Sequence, residues 1–286
     1  MKICVIGGAN ADISATCFHP FKAKDSNPGS IRLTPGGVGR NIAHNLALLG
    51  DEVVFLTLFG GDTFGYFTAD SCRKVKIDIS LSDAAPVGTR SCFLSINDVD
   101  GELVGGVSDM VAADGITPEW IASKLQKIDH IDAYVADTNL PVEALTYLID
   151  HVDAPLYVDT VSSAKAPRIV EAMKRSTKKK IHSLKCNAME NELLSTLKGV
   201  GRRYVSLGND GLDVLEGRKK HHFPALPCEA VNTIGAGDAL IAGIIHSGPD
   251  ATIEEAANVG LRCAKITCES PDTVNNQLKQ LYEALS

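Results

Sequence analysis

An α/β fold is what this sequence predicts, and three observations predict it. Short runs dense in Val, Ile and Leu recur along the chain: KICVIGG, EVVFLTLFG, AYVAD, LYVDT, IHSLKCN and RYVSLG. They lack strict polar alternation, which suits strands buried on both faces of a parallel sheet. Helix-like stretches such as NIAHNLALLG stand between them, as crossover connections between parallel strands require. Finally, 286 residues with 44% hydrophobic and 22% charged content can bury a sizeable core.

The elements follow in order. KICVIGG opens the sheet, and Ile42, Leu46 and Leu49 give the next helix an apolar stripe that Gly50 can end as a C′ residue. Two stretches break the rhythm: Ser30 to Thr34, and Thr89 to Val107 with a turn at Asp100-Gly101. Both read as short alternating strands of a small exposed antiparallel sheet. Trp120 and His151 lie in amphipathic stretches and read as structural. Arg175 to Lys180 (RSTKKK) reads as a solvated helix C-terminus, and His221-His222 as a surface strand or turn poorly spaced for a shared metal. No repeat, low-complexity tract or linker divides the chain, so a single domain over 1–286 is expected.

Composition excludes several classes of function. A net charge of −7 counts against a general nucleic-acid binder. Eight cysteines without a CxxC pair suggest neither a zinc site nor a disulfide framework; they read as reduced thiols of a cytoplasmic protein. The N-terminal apolar run is too short for a signal sequence, and no run of about 18 apolar residues occurs, so no membrane partner is expected.

Chemistry concentrates in NTIGAGDALIAG, Asn232 to Gly243. Gly235 and Gly237 can take positive φ, letting successive N–H groups converge on an anion, and the apolar run behind them reads as a buried helix whose N-terminus favours negative charge. Asp238 has two readings that the local sequence leaves even: a helix N-cap, or a general base taking a proton from an attacking hydroxyl. The Walker A pattern is absent, and VIGGANAD lacks the GxGxxG fingerprint that a nicotinamide-dependent oxidoreductase would need. A second cluster, TPGGVGRNIAHNLALLG, brings Gly36, Gly37 and Gly39 to another helix start. Asn41 offers a donor and an acceptor there, suited to a hydroxyl-rich ligand.

TPGGVGRNIA and NTIGAGDALIAG, about two hundred residues apart, together resemble the two signatures of the ribokinase-like (PfkB) carbohydrate and nucleoside kinases. GGDTFG (60–65), the NxxE of Asn187 to Glu190 and SLGNDG (206–211) fall in family order, so the resemblance spans essentially the whole chain. GGANADI (7–13), DSNPGSIRLTPGGVGRNIAHNLALLG (25–50), VADTNLP (135–141) and VDTVSSAK (158–165) are most similar to the branch that acts on pseudouridine.

The resemblance implies a three-layer α/β/α core with a mainly parallel sheet and a β-sheet lid drawn from about 13–34 and 88–108. It implies transfer of the γ-phosphoryl group of ATP to a nucleoside 5′-hydroxyl, with Asp238 as base and the amides of Gly235, Ala236 and Gly237 as anion hole. Asn10, Asp12, Gly36, Gly37 and Asn41 would hold the sugar. Asn187 and Glu190 would organise Mg²⁺ through water. Ser206, Gly208, Gly211 and, on a C-terminal helix, Asn258 would hold the nucleotide. Lys165 is a candidate for phosphate or uracil contact, and Ser30, Arg32 and Ser91 could reach substrate from the lid, which in relatives often builds a homodimer. Two departures stand out: Asn232 replaces an Asp that helps form a K⁺ site in many relatives, and Lys185-Cys186-Asn187 replaces Lys-Pro-Asn. A non-catalytic sugar-binding protein would lose the base, which is present here.

Overall fold

The computed structural model describes residues 1–285. The chain opens with β1 (Lys2–Ile6), β2 (Asn10–Cys17) and β3 (Gly29–Gly36), then α1 (Val38–Leu48), β4 (Glu52–Leu56) and β5 (Leu58–Phe59). Helix α2 (Thr63–Lys74) leads to β6 (Asp83–Ala84), β7 (Cys92–Asn97) and β8 (Leu103–Asp109). A regular alternation follows: α3 (Pro118–Leu125), β9 (Ala133–Asp137), α4 (Val142–His151), β10 (Leu156–Asp159), α5 (Pro167–Arg175), β11 (Ile181–Asn187), α6 (Ala188–Leu193) and β12 (Val200–Ser206). The hairpin β13 (Leu212–Glu216) and β14 (Lys219–Phe223) precedes α7 (Ala236–His246), α8 (Ile253–Cys268) and α9 (Leu278–Leu285).

The central sheet runs β14-β13-β12-β11-β10-β9-β1-β4. Pairings from β4 through to β12 are parallel, and only the terminal hairpin is antiparallel. Side chains of a strand alternate between faces, so Ile3 and Val5 join one core cluster with α1, α7 and α8, while Cys4 and Ile6 join another with α3, α4 and α5. That split makes three layers. Ile3, Ile6 and Phe55 are fully buried, each contributing roughly 1.5–3 kcal/mol. Helix α1 ends as its sequence predicts: Gly50 takes φ 86, and Asp51 N–H returns to Leu46 O.

A second, small sheet, ordered β3-β2-β7-β8, stands where the lid is expected. Gly101, at φ 86, closes its predicted turn by donating to Asp98 O. The lid is mixed rather than purely antiparallel, because β2 runs parallel to β7. Continuous with β1 through the Gly7-Gly8-Ala9 connection, β2 carries the chain from the central sheet into the small one. Register puts Ile13, Ala15, Ile31, Leu33, Leu94, Ile96 and Val107 on one face, and Asp12, Ser14, Thr34 and Ser95 on the other. The apolar face is the open one: Ile31 is 77% and Val107 65% exposed.

Among the described residues no helix is long and apolar enough to cross a membrane, and all eight cysteines are free thiols. No group of three or more His, Cys, Asp or Glu is placed to hold a metal ion among them. His222 instead hydrogen-bonds Asp213 across the β13–β14 hairpin.

Candidate active site

The C-terminal ends of β1, β9, β10 and β11 meet the first turns of α1 and α7, where open α/β sheets hold their ligands. Asp137, the last residue of β9, anchors this region. Its Oδ2 accepts from Gly8 N (2.9 Å) and Gly39 N (2.7 Å), and its Oδ1 from Asn139 N (2.8 Å). One buried carboxylate thus ties the Gly7-Gly8 turn to the start of α1. Burial pushes Asp137 above the usual carboxylate range against the pull of those donors.

Asn10 and Asp12 stand at the start of β2, with Asn10 Nδ2 donating to Asp12 Oδ1 at 2.5 Å. Gly36 is the register partner of Asn10, and a Cβ there would displace the Asp12 carboxylate. Burial raises Asp12, while Asn10 and Arg40 oppose the rise. Gly37 is the N-cap of α1, and Asn41 in its first turn sends Nδ2 to Asp238 Oδ2 at 2.9 Å.

Asp238 is not a helix cap. Gly235, at φ 86, occupies the N-cap of α7, leaving Asp238 as its third helical residue, buried and turned toward Asn41. Gly237 is helical rather than at positive φ, and a Cβ there would lie 2.5 Å from Lys185 Nζ and displace the ammonium. Burial and then Asp159 push the Asp238 carboxyl up to about 7, against Lys185 and Asn41. Lys185 sits 3.1 Å from Asp159 Oδ2. Burial works against its ammonium, but Asp159 and Asp238 outweigh it and hold the lysine above its ordinary value.

On the other side of the α7 N-terminus lies a cavity of about 660 Å³. Ala236, Gly237 and Asn187 line its inner end; Ser206, Gly208, Gly211, Leu261, Ala264 and Cys268 line the rest. The glycine loop therefore stands between a mostly apolar cavity and a carboxylate facing polar side chains, which suits transfer of an anionic group to a hydroxyl.

Residues 1–280 match the family model for pfkB family carbohydrate kinases. The chain belongs to the pfkB family. It is 31% identical to the pseudouridine kinase of Escherichia coli (strain K12) over 96% of this chain and 93% of that one. A carbohydrate kinase from Agrobacterium tumefaciens superposes with TM-score 0.81 at 27% identity, over 99% of this chain and 97% of that one. Ribokinase of Arabidopsis thaliana, solved with ribose and ATP, shares the fold with TM-score 0.78 at 16% identity, over 100% of this chain and 99% of that one. This pfkB chain thus has the ribokinase-like α/β fold and is a carbohydrate or nucleoside kinase, a phosphotransferase acting on an alcohol group.

In this pfkB kinase the NxxE pair forms a capping box on α6. Asn187 Oδ1 accepts from Glu190 N (2.9 Å), and Glu190 Oε2 accepts from Asn187 N (2.9 Å) and Thr160 Oγ1 (2.6 Å). Among the described residues Glu190 Oε1 accepts only from Asn187 Nδ2 (2.8 Å) and keeps a lone pair spare. That donor set fits a Mg²⁺ that Asn187 and Glu190 would hold through water, and not an all-protein cage.

Asn258 is not brought to the cavity: it is exposed on α8, one turn before Leu261, where the lining face begins. Lys165 Nζ donates to Asn139 Oδ1 at 2.5 Å, and burial lowers its pKa. Of the lid candidates, Ser91 is buried and donates to Ala9 O, and Ser30 is exposed. Arg32 pairs with Asp272 beyond α8. Asn232 accepts from Ile234 N (3.0 Å) and donates through Nδ2 to Pro271 O (3.2 Å).

Sequence reasoning missed Asp137, Asp159, Lys185 and Arg40. The first three end the AYVAD and LYVDT runs or interrupt IHSLKCN, so the signal was an ionisable residue at the C-terminal end of a parallel strand.

Proposed function

We propose that this pfkB kinase transfers the γ-phosphoryl group of ATP to the 5′-hydroxyl of pseudouridine, giving pseudouridine 5′-phosphate and ADP. The observation carrying the reaction is Asp238, a buried carboxyl held near neutrality beside the anion-accepting loop. The substrate rests on the likeness to the Escherichia coli enzyme. Asn10, Asp12, Gly36, Gly37 and Asn41 hold the ribose, where an ionised Asp12 can accept from two hydroxyls. Ser206, Gly208 and Gly211 hold the nucleotide in the 660 Å³ cavity.

Asp238 takes the 5′-hydroxyl proton as the oxygen attacks the γ-phosphorus, and the bond to the ADP oxygen breaks. In this reading the Gly235 and Gly237 amides receive the transferring group, joined by the Ala236 amide once it leaves Thr233 O (3.3 Å), and Lys185 beside Gly237 adds a positive charge. Bound Mg²⁺ supplies charge neutralisation on the phosphates. The lid excludes water from the acceptor. Its open apolar face supports a homodimer through the lid, and the family membership supports a cytoplasmic enzyme.

Pseudouridine, uridine, guanosine, ribose and fructose, each supplied with ATP and Mg²⁺, discriminate the substrate by kcat/KM. Pseudouridine is expected to lead uridine by at least about tenfold, the worth of one good contact. Equal values for the two nucleosides would remove the substrate assignment while leaving the kinase reading intact.

A further inference from the structure

Arg40 is 3% exposed, a charged residue buried beside the site with no role so far. It lies in the first turn of α1, and its guanidinium makes three hydrogen bonds. One Nη donates to Pro35 O (3.2 Å) and to Asn41 Oδ1 (3.0 Å), and the other to His44 Nδ1 (3.0 Å). Its Nε–H meets no oxygen or nitrogen acceptor among the described residues, and only the weakly accepting Cys72 thiol faces the guanidinium. A buried unmet donor costs about 1–3 kcal/mol, so stability alone is a poor reason for an arginine here.

The bond to Asn41 has a directional consequence. A guanidinium only donates and a carboxylate only accepts, whereas an amide does one at each end. With Arg40 on one side and Asp238 on the other, Asn41 has one satisfied orientation: oxygen toward Arg40, Nδ2 toward Asp238 Oδ2. Inverting it would set donor against donor and acceptor against acceptor. No donor among the described residues holds Asp238 Oδ1, so Oδ1 is left to receive a proton. His44 offers no competing charge, because burial and Arg40 lower its pKa to about 3 and keep the ring neutral.

We propose that Arg40 is a positioning residue: through the Asn41 amide it fixes which oxygen of Asp238 accepts the substrate proton. This rests on Asp238 being the base. The charged groups facing Asp238 are Arg40 from α1, Lys185 from β11, Asp159 from β10 and Asp137 from β9. Arg40 also faces Asp12 and the Cys72 thiol.

The test is steady-state kinetics of the full-length enzyme as a function of pH for Arg40→Met, Arg40→Lys, Asn41→Ala, the Arg40→Met/Asn41→Ala double variant and Asp238→Asn. Arg40→Met is expected to lower kcat about 10- to 100-fold, leave the nucleoside KM within about threefold, and move the acid limb of kcat upward, because Asp238 loses an oriented donor and a nearby cation. Arg40→Lys, also donor-only, should recover most of kcat. In the Asn41→Ala background Arg40→Met should add less than about threefold, since the path runs through Asn41. If the Met variant does not fold, Arg40→Gln serves: it can donate or accept, lets Asn41 invert, and should show the same shift. A uniform loss with an unmoved pH limb, or full additivity with Asn41→Ala, overturns the proposal. Near-normal turnover by Asp238→Asn would instead overturn the base on which it rests.

Discussion

Lys185 holds its ammonium 3.1 Å from Asp159 Oδ2, and the same cation faces Asp238 across the first turn of α7. One positive charge is set among buried carboxylates whose mutual repulsion it offsets. Removing it by Lys185→Met leaves Asp159 without its partner. The expected cost is roughly 3–5 kcal/mol, read as a lower urea midpoint at unchanged m-value. A variant as stable as the parent would mean the pair contributes little.

Asp238→Asn separates chemistry from stability. Turnover should fall about 10²- to 10⁴-fold with little change in nucleoside KM. In the parent, kcat should drop as pH falls through about 7, where the base becomes protonated. Stability runs the other way. The folded carboxyl has a pKa above its unfolded value, so between about 4 and 7 the unfolded state releases a proton that the folded state keeps. Rising pH in that window therefore destabilises the parent. Asparagine lacks this effect, so the variant should match the parent near pH 4 and exceed it above pH 7, by up to about 4 kcal/mol. Equal stability at both ends would show that burial does not perturb Asp238.

Leu33→Glu puts a charge in the middle of the open lid face without touching the polar face. If the lid pairs with a second copy, sedimentation should shift toward monomer and the nucleoside KM should rise several-fold as the lid loses support. An unchanged oligomeric state would place any interface elsewhere.

Asn232→Asp tests how the glycine loop is fastened. The Asn232 amide donates to Pro271 O, whereas a carboxylate would face that carbonyl as acceptor against acceptor. A monovalent cation between the two oxygens would relieve the clash. Activity of the variant should become K⁺-dependent by about tenfold or more, while the parent should respond to K⁺ less than about twofold.

The core and the two glycine clusters were legible because each rests on a local pattern: apolar strand runs, a 3.6-residue helix stripe, glycine before a helix. β13 was not read as a strand, because Asp213 and Glu216 interrupt the apolar run of LDVLE, and β14 was read only as a surface strand or turn, because most of KKHHF is exposed at the sheet edge. The Asp238 cap reading failed because Gly235 fills the cap, which requires the left-handed backbone to be seen. Asp137 and Arg40 were illegible for another reason. Each works through backbone amides or side chains that come together only when α1 packs against the strand ends.

Ala236 and Gly237 line the 660 Å³ cavity proposed to take the nucleotide, while Asp238, next in sequence, turns toward Asn41. Under the proposed function, the phosphate and acceptor sites are therefore adjacent in sequence. A single molecule carrying an adenosine-like group joined to a C-nucleoside by a short polyphosphate could occupy both sites at once. Its second half would bind at an effective concentration in the millimolar range or above. Tether length would be the parameter that tunes such an inhibitor, since a bridge too short to cross the α7 N-terminus would forfeit the gain.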